Sequence, residues 1–351
     1  MEPLKDVSER HRFDVDRLAA YLASRLDGFE GPLEVRQFSG GQSNPTYLLG
    51  TPSRRYVMRS KPGPVAKLLP SAHAIEREYR VMQALARQHF PVPRMEVLCE
   101  DESVIGRAFY LMQHVEGRIF WNQSLPGMSA AERGAIYDEM NRVISTLHRI
   151  DPVAAGLGDY GKPGNYFQRQ IARWSRQYQA SATETIEAMD HLIDWLPAHV
   201  PPGDEVAIVH GDFRLDNMIF DPQLPRVIAV IDWELSTLGH PLADFSYHCM
   251  TWHIPESGFR GIGGLDLAAL GIPSEDEYVG RYCERTGRGP IRHWNFYLAY
   301  NLFRMAGILQ GVYKRATEGL ASSDEAHDHG RRARELAELG WQYARRVDAD
   351  R

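Results

Sequence analysis

The chain has 351 residues, 40 Lys+Arg against 46 Asp+Glu, a formal net charge of -6 and 43% hydrophobic residues. That length predicts two packed lobes and the ordinary composition excludes whole-chain disorder. The net charge supplies no general attraction for nucleic acid or an anionic membrane. No run of 18 apolar residues occurs, residues 1–12 lack an apolar core, and Cys99, Cys249 and Cys283 form no CxxC pair. A cytoplasmic chain with no signal peptide, transmembrane helix, disulfide scaffold or zinc site is therefore expected.

Asp14 is placed to cap a first helix with Leu18, Tyr21, Leu22 and Leu26 on one stripe. Strands are predicted at 33–38, 46–49 and 56–59, the first two joined by Ser39-Gly40-Gly41-Gln42-Ser43-Asn44 and the third ended by Pro62-Gly63-Pro64. Ile75, Tyr79, Met82 and Ala86 then mark a helix, and strands follow near 95–98 and 108–112. Beyond Gly117 the pattern turns helical. Ser129 and Glu132 form a capping box, with Ile136, Met140, Val143 and Leu147 on the buried face. Helices are predicted at 167–180 and 185–199. A short β island follows, at 206–209, 218–220 and 227–231, and helix returns from about Glu275. The expected fold is α+β and bilobal: an N-lobe, 1–116, with five antiparallel strands and one main helix, and a mostly helical C-lobe, 117–351, holding the small β island.

That island holds the chemistry. His210-Gly211-Asp212-Phe213-Arg214-Leu215-Asp216-Asn217 precedes Ile231-Asp232-Trp233-Glu234, so Asp212, Asn217 and Asp232 stand at the ends of apolar runs. Asp212 can address a substrate hydroxyl, while Asn217 and Asp232 offer the hard oxygens that magnesium prefers. A group that orients a nucleophile and two metal ligands are the parts phosphoryl transfer requires.

The HxDxxxxN motif followed by Asp232 resembles the catalytic and metal-binding loops of the protein-kinase-like superfamily. His210-Gly211-Asp212 and Ile231-Asp232-Trp233-Glu234 resemble its aminoglycoside phosphotransferase/choline kinase branch. Residues 39–47, Leu68-Leu69-Pro70-Ser71-Ala72-His73 and Leu238-Gly239-His240-Pro241-Leu242-Ala243-Asp244 resemble the subgroup related to kinase domains fused to acyl-CoA dehydrogenases. The resemblance implies ATP and Mg2+ as cofactors, Asp212 as catalytic base, and Asn217 and Asp232 as magnesium ligands. It also implies that Ser39, Gly40, Gly41, Gln42, Ser43 and Asn44 cover the ATP phosphates, where glycines let backbone amides approach. Val57 and Arg59 share a strand face, so Val57 is expected on adenine and Arg59 toward phosphate, with Lys61 as a rival. Glu78 is expected to pair with Arg59, Glu76 being the alternative. Met112, Gln113, His114 and Val115 match the hinge beside adenine. His210 and Asp244 are expected to brace the catalytic loop, and Asp216 to be solvated or to brace it.

The acceptor is less defined. From residue 251 onward there are 14 acidic and 14 basic residues, without the carboxylate excess that a polycationic aminoglycoside would call for. Trp294, Phe296, Tyr297, Tyr300 and Phe303 crowd one helix, a pattern that core packing explains. Asn301 and Arg304 share a face among them. A half-buried arginine there predicts an anionic partner, either an internal carboxylate or a substrate carboxylate, phosphate or coenzyme A group. Trp252, Phe259 and the Gly-rich loop 156–166 are further candidates for the acceptor pocket. The expected function is O-phosphorylation of a small hydroxylated metabolite, possible acceptors being hydroxyacids and hydroxyacyl compounds. Aminoglycoside or amino-alcohol kinases and a non-catalytic nucleotide-binding module are the alternatives. A protein kinase is disfavoured because only ten residues separate Trp233 from Asp244, too few for a peptide platform.

Overall fold

A computed structural model describes residues 4–39, 44–62, 74–318 and 326–346. In chain order the strands are β1 (Leu4–Lys5), β2 (Glu34–Phe38), β3 (Thr46–Gly50), β4 (Arg55–Ser60), β5 (Met95–Cys99), β6 (Phe109–Gln113), β7 (Ala207–Val209), β8 (Met218–Phe220), β9 (Val227–Val230) and β10 (Thr237–Gly239). The helices are α1 (Val15–Ala23), α2 (Ile75–Arg87), α3 (Ala130–Arg149), α4 (Tyr166–Ser181), α5 (Glu187–Ala198), α6 (Pro241–Cys249), α7 (Leu267–Leu270), α8 (Glu275–Thr286), α9 (Trp294–Thr317) and α10 (Ala326–Ala344). None of the described helices is long and apolar enough to cross a membrane.

The chain divides into two compact units, and the division is not one cut in sequence. The first gathers Met1–Ile119, Val153–Tyr160 and Asp216–Ser236; the second holds the rest.

The first unit is built on an antiparallel sheet of order β1-β2-β3-β4-β6-β5. Its five longer strands are those expected from alternation, and the two-residue β1 is added at the edge, Leu4 opposite Phe38. Tyr47, Leu49, Met58, Phe109 and Leu111 form one core with Leu18 and Leu22 of α1. Asp14 accepts from the Arg17 amide at the start of that helix, as its position in the sequence predicts. Alternation sets the chemistry of β4: Arg59 lies opposite Thr46 on β3 and Tyr110 on β6, and Val57 lies opposite Leu48 and Met112. The hairpin β8–β9 belongs to this unit, with Met218 opposite Val230.

The second unit is helical, with α9 packed against α10, α4 and α6. The Ser129–Glu132 capping box starts α3, and a second one, Ser274–Glu277, starts α8. Its short sheet pairs β7 with β10. The expected β island is thus two separate two-stranded sheets, one in each unit. Gly239 is needed at the β10 end, because a Cβ there would meet the Tyr166 ring at 2.6 Å. His240 follows as the N-cap of α6, its Nδ1 accepting from the Leu242 amide, and Pro241 occupies the first turn.

Two buried histidines of this unit make its stability depend on pH. Burial is the main cause that lowers His240, and likewise His248, to about 4. The folded pKa lies below the unfolded value of about 6.5. The stabilisation is therefore complete above pH 6.5 and is lost as pH falls from 6.5 toward 4. Each histidine should cost about 3 kcal/mol of stability by pH 4. Urea midpoints measured from pH 7.5 to 4 should fall across that window, and His248→Gln should flatten the fall. An equally steep fall in the variant would remove His248 as a cause.

Candidate active site

In the second unit the segment after β7 turns through Gly211, whose φ of 82° is the left-handed conformation that favours glycine. Both amides of the turn are held by one carboxylate: His210 N–H donates to Asp244 Oδ2 at 2.7 Å and Gly211 N–H to Oδ1 at 2.8 Å. Asp244 comes from the first turn of α6 and is 2% exposed. Burial works against its charge, yet the hydrogen bond from His148, the charges of His148 and His210 and the amide bonds hold its carboxyl below the usual range. His210 Nδ1 in turn accepts the Asp212 amide at 3.1 Å. The brace that the sequence assigned to His210 and Asp244 is present in this geometry.

Asp212 carries a partner on each oxygen. Tyr247 donates its hydroxyl to Oδ1 at 2.5 Å, and Arg214 lies 2.9 Å from Oδ2. Tyr247 and Arg214 also line a pocket with Phe213, Ile254, Phe259 and Arg260. This small opening of about 30 Å³ is thus lined by apolar residues together with Tyr247, two arginines and the polar Gln123, His248 and Thr251.

Arg304 of α9 is 6% exposed, and its partner is neutral rather than anionic. Its Nη2 donates to the Gly211 carbonyl at 2.5 Å, and its guanidinium lies 5.4 Å from the Trp174 ring centre and 5.0 Å from that of Tyr247. Asn301 is fully buried and donates to the Ala243 carbonyl at 3.0 Å and Ser246 Oγ at 2.7 Å. These bonds give Asn301 a helix-packing role between α9 and α6, and Arg304 a hold on the turn before Asp212. Trp252 likewise belongs to an aromatic core, 4.8 Å from Tyr278 between ring centres, whereas Phe259 does line the pocket.

In the first unit Asn217 and Asp232 stand at one end of the β8–β9 hairpin. Asn217 O accepts the Ile231 amide at 2.9 Å, so the two residues flank the same ladder end. Asp232 has a φ of 66°, an unusual conformation for a residue with a side chain. Trp233 fixes it from behind: its indole donates to the Val230 carbonyl at 2.9 Å and packs edge-on against Phe90. Asn217 and Asp232 are hard-oxygen residue types at one ladder end, the kind of residues that would suit magnesium.

Arg59 reaches the same place from β4. Nη1 donates to Asp232 Oδ1 at 3.0 Å, Nη2 to Glu234 Oε2 at 2.8 Å, and Nε lies 3.4 Å from Glu78 Oε2. Glu78 also accepts from Asn44 Nδ2 at 3.1 Å and the Tyr110 hydroxyl at 3.0 Å. Burial, then the Asp232 charge, pushes the Glu78 carboxyl up against the pull of Arg59. The rival Lys61 is committed to Glu76 instead. Gly40, Gly41, Gln42 and Ser43 lie outside the described residues, as does Leu68-Leu69-Pro70-Ser71-Ala72-His73. Of the flanks, Ser39 is exposed and Asn44 is buried on Glu78. In the hinge, the Gln113 amide donates to Arg94 O and the His114 amide to Arg55 O, so both are used inside the sheet. Loop residues Gly156 and Asp159 are bound by Arg80 of α2, within the same unit.

Three residues given no role from motif spacing emerge here: Tyr247, Arg214 and Glu234. Arg214 and Glu234 stand inside the two motifs, Glu234 as the last residue of Ile231-Asp232-Trp233-Glu234, whereas Tyr247, three positions after Asp244 on the fully buried α6, left no such signal.

A family model described as a phosphotransferase enzyme family matches residues 34–292. The chain is 61% identical to a solved structure described as a putative aminoglycoside phosphotransferase from Ralstonia eutropha JMP134, with a TM-score of 0.88 over 95% of this chain and 99% of that one. It is 48% identical over 332 residues to the Acyl-CoA dehydrogenase family member 10 of Mus musculus, covering 94% of this chain and 31% of that protein. The chain spans less than half the length of the curated relatives it matches. An aminoglycoside phosphotransferase solved with AMP-PNP and hygromycin B shares the fold at 17% identity and a TM-score of 0.58, over 93% of this chain and 98% of that one.

Proposed function

The chain belongs to the phosphotransferase enzyme family, and from that premise we propose that it transfers the terminal phosphoryl group of ATP, with magnesium, to a hydroxyl of a small anionic metabolite. Asp212 accepts the proton of the attacking hydroxyl, as a positioned carboxylate does in this chemistry. Asn217 and Asp232 hold the magnesium ion, which when bound neutralises charge on the phosphates. Arg59, anchored by Glu78, faces the phosphates. The Ser39–Asn44 loop covers them, and the 112–115 segment receives adenine through the backbone groups the sheet leaves over. A cytoplasmic setting accords with this use of ATP.

The observation that supports an anionic acceptor is the pocket beside Asp212, where Arg214 and Arg260 stand among apolar walls. Arg214 is already paired with Asp212, and Arg260 adds a positive charge that attracts a carboxylate or phosphate and opposes a polycation. Apolar walls suit a hydroxyacid or hydroxyacyl compound, and the kinship with acyl-CoA dehydrogenase family proteins points the same way. The name of the 61%-identical relative favours an aminoglycoside instead. Magnesium-dependent transfer from ATP across hydroxyacids, hydroxyacyl-CoA thioesters, amino alcohols, sugars and aminoglycosides decides between them. Preference for an anionic acceptor, weakened by Arg260→Glu, is the expected result. Preference for an aminoglycoside would overturn the acceptor assignment, and ATP binding without any transfer would favour a nucleotide-binding module.

A further inference from the structure

We infer that Arg59 is an internal counter-ion occupying the metal ligand, so that a divalent cation gains Asp232 only by displacing the guanidinium and therefore binds together with nucleotide rather than before it. This deepens the reading of Asp232 as the magnesium ligand and rests on it.

Three carboxylates, Glu78, Asp232 and Glu234, surround one guanidinium that is 12% exposed. Burial disfavours the Arg59 charge, but Glu78, Asp232 and Glu234 outweigh it and hold the group charged. The arrangement is unequal. The two outer nitrogens have short bonds to Asp232 and Glu234, whereas the buried Nε has no hydrogen-bond partner despite lying 3.4 Å from Glu78 Oε2. Glu78 therefore holds Arg59 through charge at 3.4 Å, while the two hydrogen bonds go to Asp232 and Glu234; the unbonded Nε is a cost of that arrangement. Glu78 does not depend on Arg59 alone, since Asn44 and Tyr110 also donate to it.

Asp232 Oδ1 is thus bonded to a cation that belongs to the chain. A second cation on the same carboxylate is opposed by that charge at close range, and the opposition is strong where water is scarce. Nucleotide phosphates remove it, because they offer the guanidinium another set of oxygens in the fork geometry that arginine matches. Glu234 is a positioning residue here: held on the turn behind Trp233, it binds Nη2 and so keeps Nη1 on Asp232. Lys61 does not take this part, being tied to Glu76.

The test measures Mn2+ binding to the full chain by electron paramagnetic resonance, with and without a non-hydrolysable ATP analogue. Wild type should bind Mn2+ weakly alone and much more tightly with the analogue. Arg59→Gln should tighten nucleotide-free binding by on the order of tenfold, and Arg59→Lys, which keeps the charge, should restore weak binding. Mn2+ affinity in Arg59→Gln at or below wild type, while Asp232→Asn still abolishes binding, would overturn the inference and leave the metal assignment standing. Micromolar binding by wild type without nucleotide, lost in a folded Asp232→Asn variant, would overturn it as well. Binding indifferent to Asp232→Asn in every condition would instead overturn the metal assignment.

Discussion

Asp212→Ala is expected to lower turnover by about 10³-fold or more while leaving ATP affinity within about threefold of wild type. Asp212 lies in the second unit with Tyr247 and Arg214 on its two oxygens, whereas Arg59, Asn217 and Asp232 belong to the first. Removing the carboxylate therefore takes away the proton acceptor without touching the groups assigned to nucleotide and metal. The drop belongs in kcat rather than in KM for ATP, because the interaction matters as the hydroxyl attacks. Steady-state kinetics with the acceptor found by the panel, alongside calorimetric ATP binding, separate the two quantities. Turnover near wild type would end the assignment of Asp212 as base, and a matched loss of ATP affinity would move it to nucleotide binding.

Asp244→Ala is expected to destabilise the chain by about 3–5 kcal/mol. Two buried amides, those of His210 and Gly211, lose their acceptor, and His148 loses its carboxylate. An unsatisfied buried amide costs about 1–3 kcal/mol, so the two amides alone, at about 2–6 kcal/mol together, cover that range. The catalytic effect follows from geometry: Asp212 is the next residue after Gly211, and a loosened turn no longer aims it. Turnover of the folded fraction should fall about 10²-fold even though Asp244 touches no reacting atom, since small misplacements cost that much. Urea denaturation and kinetics below the transition give the two readouts. A variant with wild-type stability and turnover would show that the turn is held by its other contacts, chiefly Arg304 on the Gly211 carbonyl.

The same contrast explains what could be read in advance. The five longer strands of the first sheet, the α1 cap and the Ser129–Glu132 capping box are local patterns, and each appears where alternation or capping residues put it. The pairing of Arg59 with Glu78 was also legible, because strand and wheel periodicity turn both side chains inward. The split β island and the strand β10 were not, since Thr237–Gly239 is too short to show alternation and forms only because β7 offers it a ladder. Arg304 was legible as a buried charge, but not its neutral partner. A carbonyl 93 residues away and two ring faces carry no local trace.

By itself the sequence determined the chemical parts: a carboxylate five residues before an amide, an aspartate ending an apolar strand, and the glycine turn that precedes them. Those are properties of spacing, which short-range geometry constrains. The tertiary structure alone decided how the parts are held. Asp244 grips the loop, Tyr247 and Arg214 take the two oxygens of Asp212, and Arg59 occupies Asp232 and Glu234. Apart from Arg214, two residues from Asp212, these partners come from segments distant in sequence, and their meeting depends on the packing of whole helices and strands rather than on any local preference.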